Sequence, residues 1–522
     1  MSGRKCEFNG SDVRLYRINV FMMKYFSKNW VYILGGIFIL ALFSLRFFHL
    51  TIIPVFADEA IYIRWSQVMR VEETLRFLPL SDGKEPLFMW ITIAFLKLIH
   101  DPLTAGRIVS VLSGLGTLIG TSFLTYLLFK NKKVALIAGL IYAVSPFSFF
   151  FDRMALVDSM LTMFGVWTFI FAYLAFTKER LDCAMLAGFA LGGAWLTKSP
   201  ALFFAIMLPT LWFFIKSPKR LVKIVPLTIV TLIIGYGMYN ILRLGPNFEL
   251  IASRNLDYVY PINHFLVSPF DPLKPFLIQS WQWLVAMGPW SLLVLGLAGY
   301  LINWKKSWKQ LVILTIWFLG PIVVQCEFAK VLTARYILFS IPFLVIIAAS
   351  AFLEYRKKLL IVLALILVFF VGQSLFFDYR LLFNPAKANL PRSERSGYLE
   401  EWTSGYGIKE VSVYLRNRLV SNPSTKIVVG TEGYFGTLPD GLEMYLNDVP
   451  KITIIGVGLG INTIPQSLID AIKAGDETYL LINQSRLNVA PSKIGITIAS
   501  YPKAYRPDGS RDSLLLIKVK SS

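Results

Sequence analysis

The sequence has little of what staples or metallates a small domain: three cysteines (Cys6, Cys183, Cys326) and three histidines (His49, His100, His264) in 522 residues. No cysteine pair has the spacing of a disulfide framework and no histidine pair has ligand spacing, so neither a crosslinked fold nor a zinc site is expected. The cysteines fall in the polar N-terminal tail or in apolar runs and read as packing residues. Acids are scarce too, 32 Asp and Glu against 52 Lys and Arg. An excess of bases suits nucleic acid or an anionic lipid surface, and its placement decides between them. The bases cluster in short gaps between apolar runs: Lys130, Lys132 and Lys133; Lys178 and Arg180; Lys216, Lys219, Arg220 and Lys223; Lys305, Lys306 and Lys309; Arg356, Lys357 and Lys358. Every second gap is basic, which is the positive-inside pattern of cytoplasmic loops and excludes a nucleic-acid partner.

What the chain has is apolar length. Hydrophobic residues make up 55% of it, too many for a soluble enzyme, so it reads as a polytopic membrane protein in contact with the lipid bilayer. The first apolar run, 31–50, follows a basic tail that is too long for a signal peptide, and no small-residue cleavage site comes after it. It is therefore expected to remain as an anchor, with the N-terminal tail (1–30) cytoplasmic. Apolar runs and basic gaps together predict about eleven transmembrane helices. They are expected at 31–50, 104–129, 134–151, 158–177, 182–197, 200–215, 221–243, 278–302, 310–327, 334–353 and 359–377. An odd number places everything after Asp378 outside the cytoplasm.

Two long loops fall on that same outer side. The first, 51–103, contains "AIYIRWSQVM" and "PLFMWITIAFLKLI", each too short to span and suited to a helix lying at the membrane surface. The second, 245–277, carries five prolines among Asn and Asp, and reads as a mobile lid over a site or as a stiff connector. From 378 to 522 helix-like and strand-like stretches alternate: "GIKEVSVYLRNRLV", "KIVVG", "LEMYL", "KITIIGV", "SLIDAIKAG", "TYLLINQ", "IGITIASY", "SLLLIKVK". That alternation predicts a small α/β domain with a largely parallel sheet. The glycines of "GVGLG" miss the dinucleotide-binding spacing and read as a turn.

The unusual charges share the outer side as well. Asp58 and Glu59 open the first loop, Lys84 and Glu85 close it, and Asp152, Arg153 and Asp158 sit where the third and fourth spans meet. Lys198 lies in the tight turn before the sixth span, and Arg335 with Tyr336 at the outer end of the tenth. Charges at the hydrocarbon boundary are costly, so a one-sided set marks a site unless each is an anchor or a structural ion pair. Arg46, Lys97 and Asp101 fit the anchor reading; Asp58, Lys84, Asp158, Lys198 and Arg335 fit a site.

In order, "DEAIYIRW", "GKEPLFMWI", "DRMALVDSMLTMF", "LTKSP" and "ARYILFSIPFL" resemble the GT-C glycosyltransferases. The resemblance is to the group uniting protein O-mannosyltransferases with the aminoarabinose transferases that modify lipid A, and it covers roughly residues 31–353. It implies a multi-pass enzyme of the plasma membrane, or of the endoplasmic reticulum in a eukaryote, with an extracytoplasmic active site. Such an enzyme moves a mannose-like hexose or an aminopentose from a polyprenyl or dolichyl phosphate to a protein, glycan or lipid acceptor. By that resemblance Asp58 is the catalytic base or holds the acceptor, Lys84 binds the lipid phosphate and Asp158 supports the site. Glu59 joins the catalytic set, and Glu85, Arg153, Lys198, Arg335 and Tyr336 join the donor-binding set. The chain departs from the pattern at Glu85, where the family often has a second proline, and at Gly83, where the aminoarabinose transferases have an acid. No metal site is therefore carried over, and a divalent cation stays open. The competing reading is a transporter or flippase of a lipid-linked sugar, which predicts internal repeats and polar groups near the membrane midplane.

Overall fold

The computed structural model describes residues 29–215, 217–354 and 356–520; most of the N-terminal tail, with Cys6, lies outside them. Among the described residues seven helices are long and apolar enough to cross a membrane: α1 (Asn29–Phe47), Pro102–Phe129, Val157–Lys178, Pro218–Leu244, Pro289–Phe328, Ala334–Leu353 and Lys357–Phe383. Shorter apolar helices at Leu87–Leu96, Leu181–Thr197 and Ser199–Phe214 complete the set.

The difference from eleven uninterrupted spans has a local cause in proline, which removes a backbone donor and clashes with the preceding turn. Pro146 divides the expected span 134–151 into α5 (Lys132–Val144) and α6 (Pro146–Phe151). Pro200 and Pro209 leave 199–214 as a short α-helix, α9 (Leu202–Met207), between two 3₁₀ turns. The spans expected at 278–302 and 310–327 correspond to two helices within Pro289–Phe328 that meet at a kink at Ser307 (φ −134°). The first of them starts late because Gly288 and Pro289 end the preceding helix, Leu273–Met287.

The first loop forms its two expected helices, α2 (Ala57–Val71), most of which is buried, and α3 (Leu87–Leu96). It leads into α4 (Pro102–Phe129), whose N-terminus Asp101 caps by accepting from Thr104 N–H at 2.8 Å. The neighbouring helices α7 (Val157–Lys178) and α8 (Leu181–Thr197) pack closely with α10 (Pro218–Tyr239). Gly188 and Gly192 make that approach possible, since a Cβ there would lie 2.7 Å from Ile234 and 2.5 Å from Met238.

The second loop is ordered by its own helices, α11 (Leu250–Tyr258) and α12 (His264–Val267). Asp101, expected as an anchor, also pairs with Lys409 of the C-terminal domain at 2.7 Å. Arg46 is fully buried against Asp152 at 3.2 Å, and Cys183 and Cys326 are buried free thiols.

The C-terminal domain carries a five-stranded sheet, β1 (Ile427–Thr431), β2 (Ile452–Gly456), β3 (Glu477–Asn483), β4 (Gly495–Pro502) and β5 (Ser513–Val519), in the order β2-β1-β3-β5-β4. The first three run parallel, and β5 pairs antiparallel with both β3 and β4. The parallel half follows the helix-strand alternation of the sequence, while the last hairpin is antiparallel because no helix separates β4 from β5. The "GVGLG" stretch turns at Gly458 (φ +91°) and Gly460 (φ +67°).

Candidate active site

Between α2, the turn before α3, the turn after α8, α11 and residues 324–336 lies a cavity of about 670 Å³. One end is polar, with Asp58, Lys84, Glu85, Lys198, Arg254, Arg335 and Tyr336 on its walls. The other is apolar, lined by Leu202, Ile206, Val324 and Val331, all of them exposed on the outside of the helical body.

Asp58 occupies the first turn of α2. Its Oδ2 accepts from Arg335 Nη2 at 2.5 Å, and its Oδ1 is 3.9 Å from Lys84 Nζ. Burial alone would raise this carboxyl, but Arg335 and then Lys84 outweigh it and hold it at about 2. The carboxylate is therefore fully charged and a weak base in this state.

Lys84 is shared with Asp82 at 3.1 Å and lies over the rings of Tyr62 and Trp65. Lys198 pairs with Asp158 at 2.6 Å and sits 4.0 Å from the Tyr336 ring centroid. Asp158 is thus the counter-ion of a cavity lysine. Arg254, from α11, faces Asp82 at 3.6 Å.

The C-terminal segment holds both members of the Asp58–Arg335 pair. Thr403 O accepts from Ala57 N–H (3.1 Å), Val55 O accepts from Gly405 N–H (2.8 Å), and Tyr398 packs on Phe56 with ring centroids 4.3 Å apart. Glu394 Oε1 accepts from Ala334 N–H at 3.2 Å, next to Arg335. Further along α2, Arg64 pairs with Glu443 at 2.7 Å and Gln67 donates to Met444 O at 2.8 Å. The helix carrying Asp58 is therefore fixed from outside the helical body.

Two expected site residues lie elsewhere. Glu59 is fully buried and forked onto Arg107, with Oε1 at 2.8 Å from Nε and Oε2 at 2.7 Å from Nη2. Arg153 is buried against the first span, donating to His49 O at 2.9 Å and lying over the Phe149 ring. Neither lines the cavity, because one residue along a helix turns a side chain by about 100°, and because Arg153 follows α6 rather than the loop. The residues that sequence reasoning missed are Arg254 and Asn255, on α11 within a segment expected to be irregular, and Tyr62, whose spacing of four from Asp58 on α2 was an available signal.

Gly83 places Lys84 in the cavity through a left-handed turn (φ +64°), and a Cβ there would meet Arg254 Cβ at 2.4 Å and Leu250 O at 2.5 Å. Gly83→Ala is expected to cost about 1–2 kcal/mol in backbone strain and to push α11 off the turn. Thermal stability and lipid-phosphate affinity should fall together; a variant matching the parent in both removes this role for the glycine.

Among the described residues no three His, Cys, Asp or Glu side chains converge as a metal site, and no step below runs through a metal.

Residues 83–237 match the family model for dolichyl-phosphate-mannose-protein mannosyltransferases. The fold is similar to that of ArnT from Cupriavidus metallidurans in the apo state, with a TM-score of 0.56 at 15% identity over 94% of this chain and 98% of that one. The fold is of the GT-C type expected from the sequence. The same ArnT bound to undecaprenyl phosphate gives a TM-score of 0.52 at 16% identity, again over 94% of this chain and 98% of that one. The archaeal oligosaccharyltransferase AglB from Archaeoglobus fulgidus, in complex with an inhibitory peptide and a dolichol-phosphate, gives 0.49 at 13% identity over 94% and 74%. A comparison with curated proteins finds no match. The matched segment begins at the turn that carries Lys84 and ends within α10, so it includes Asp158 and Lys198 but not Asp58 or Arg335.

Proposed function

We propose that the protein transfers a sugar, a mannose-like hexose or an aminopentose, from a polyprenyl or dolichyl phosphate to an acceptor hydroxyl on the extracytoplasmic side of the membrane. The observation that carries this reading is the two-ended cavity. Its charged end suits a sugar phosphate, and its apolar end opens through Leu202 and Ile206 onto the lipid-facing surface, as a prenyl chain requires. A protein of the same fold holds undecaprenyl phosphate, which supports the donor class.

In this reading the bond between the anomeric carbon and the phosphate oxygen breaks as the acceptor oxygen bonds to that carbon. The acceptor proton passes to Asp58. The electron pair of the broken bond leaves on the phosphate, where Lys84, Arg335 and Lys198 stabilise it, so no acid is needed to protonate the leaving group. The incoming phosphate competes with Asp58 for Arg335 and Lys84. As they turn toward it, the Asp58 carboxylate loses the partners that depress its basicity and becomes a better base.

Supplying the purified protein with polyprenyl-phosphate sugars and crude membrane acceptors, and following the glycosylated product, tests the reaction. Release of free polyprenyl phosphate with a glycosylated acceptor is expected; donor crossing the bilayer unconsumed would favour the transporter. Lys84→Ala is expected to weaken polyprenyl-phosphate binding by about tenfold, the value of one charge-assisted hydrogen bond. Titration of lipid phosphate against tryptophan fluorescence checks it, and an unchanged affinity removes Lys84 from the phosphate site.

A further inference from the structure

The cations of the cavity are all paired with acids: Lys84 with Asp82 and Asp58, Lys198 with Asp158, Arg335 with Asp58, and Arg254 with Asp257 at 3.0 Å. Glu85 differs. It is 5% exposed and lines the cavity, yet among the described residues its carboxylate has a hydroxyl for a partner and no cation. Oε1 accepts from Ser199 Oγ at 2.6 Å, and Ser199 Oγ accepts from Asn255 Nδ2 at 3.3 Å.

The three residues come from three separate segments, the turn before α3, the turn after α8, and α11. Together they make one polar wall in a cavity whose other charges answer one another. Burial raises the Glu85 carboxyl to about 7, against the Ser199 hydrogen bond and the nearby Lys198 charge. A buried carboxylate without a counter-ion needs hydrogen-bond donors, and an unoccupied one costs several kcal/mol.

We propose that Glu85, held by Ser199 and Asn255, is the residue that selects the donor sugar, accepting from the hydroxyls of a neutral ring and rejecting an anionic one. This rests on the lipid-phosphate donor reading above. The wall offers both acceptors and donors, which matches hydroxyl groups, since each of them both donates and accepts. A uronate would face the Glu85 carboxylate with no free cation beside it. A hydroxyl left without its partner in a built polar site is rejected strongly, so the selection resides in the wall rather than in the phosphate grip.

The test measures binding of the full-length protein in nanodiscs to three probes: polyprenyl phosphate alone, and polyprenyl phosphate carrying mannose or glucuronate. The parent protein is expected to bind the mannosyl lipid about tenfold more tightly than the bare lipid phosphate, and more tightly than the glucuronyl lipid. Glu85→Gln should erase most of that increment and narrow the gap to glucuronate, with affinity for the bare lipid phosphate within about twofold of the parent. Ser199→Ala, which loosens the wall and keeps the charge, should give a smaller loss of the same kind, and it serves if the Glu85 variant does not fold. A parent preference for the glucuronyl lipid, or an increment that survives both substitutions, overturns the proposal. If the parent fails to bind bare polyprenyl phosphate, the donor reading falls and this inference falls with it; if only the sugar increment is insensitive, the donor reading stands.

Discussion

Asp58→Asn is expected to lower turnover by about 10²-fold or more, the contribution of a positioned general base, without weakening the grip on the donor. The substitution keeps the size of the side chain and removes its charge. Arg335 and Lys84, now 2.5 and 3.9 Å from that carboxylate, would lose an internal competitor, so polyprenyl phosphate should bind the variant at least as tightly as the parent. A loss in kcat without a rise in KM separates a base from a phosphate-binding group. Lys84→Ala should show the opposite split.

With its carboxyl held at about 2 in the absence of donor, Asp58 of the free protein stays charged throughout the physiological range and supplies no acid limb of kcat/KM between pH 5 and 7. Because the folded value is depressed, the stability it contributes is present above its ordinary value near 4 and is lost as pH falls toward 2. An Asp58→Asn protein that folds, binds donor and turns over at the parent rate removes the base role.

How far the site can be read from sequence differs residue by residue. Lys84, Lys198 and Arg335 are legible because each interrupts an apolar stretch at the same end of the helices, where a charge without a purpose is costly. The adjacent acids Asp58 and Glu59 are legible as a pair and ambiguous as individuals. Which of them faces the cavity depends on the rotation of α2, and that is fixed by Thr403, Gly405 and Glu443, more than three hundred residues away.

Glu85 is visible as an acid before an apolar helix, but its partners Ser199 and Asn255 meet it only through the packing of two further segments. The strands and helices of the C-terminal domain follow from their alternation. Its contact with α2 does not, because the side chains that make it belong to two domains with separate hydrophobic patterns. The helical body is legible as apolar length and less so as a count of spans. Prolines at 146, 200 and 209 break runs that average as hydrophobic, while Ser307 separates two helices at the basic gap of Lys305, Lys306 and Lys309.

The acid beside Asp58 gives the largest expected effect on stability. All five N–H groups of Arg107 are used: two bind Glu59, and the others reach Leu50 O (2.7 Å), Ile53 O (2.9 Å) and Pro54 O (3.1 Å). Glu59 in turn accepts from Phe56 N–H at 3.0 Å and Ala155 N–H at 2.6 Å. The pair thereby ties the end of the first span, the start of α2, the interior of α4 and the loop before α7 into one buried knot. Removing one partner leaves the other charge without compensation at zero exposure, so Glu59→Gln or Arg107→Met should each cost about 3–5 kcal/mol.

The double variant Glu59→Gln/Arg107→Met leaves no buried charge and keeps an acceptor for one of the two backbone N–H groups, so it should recover a good part of that loss. Thermal unfolding of the three proteins in detergent measures the effect. Turnover per folded molecule should change far less than for Asp58→Asn, because Glu59 lines no part of the cavity. A Glu59→Gln protein with the parent's thermal stability and a 10²-fold slower reaction would return Glu59 to the catalytic set and assign the architecture around Arg107 to its backbone contacts alone.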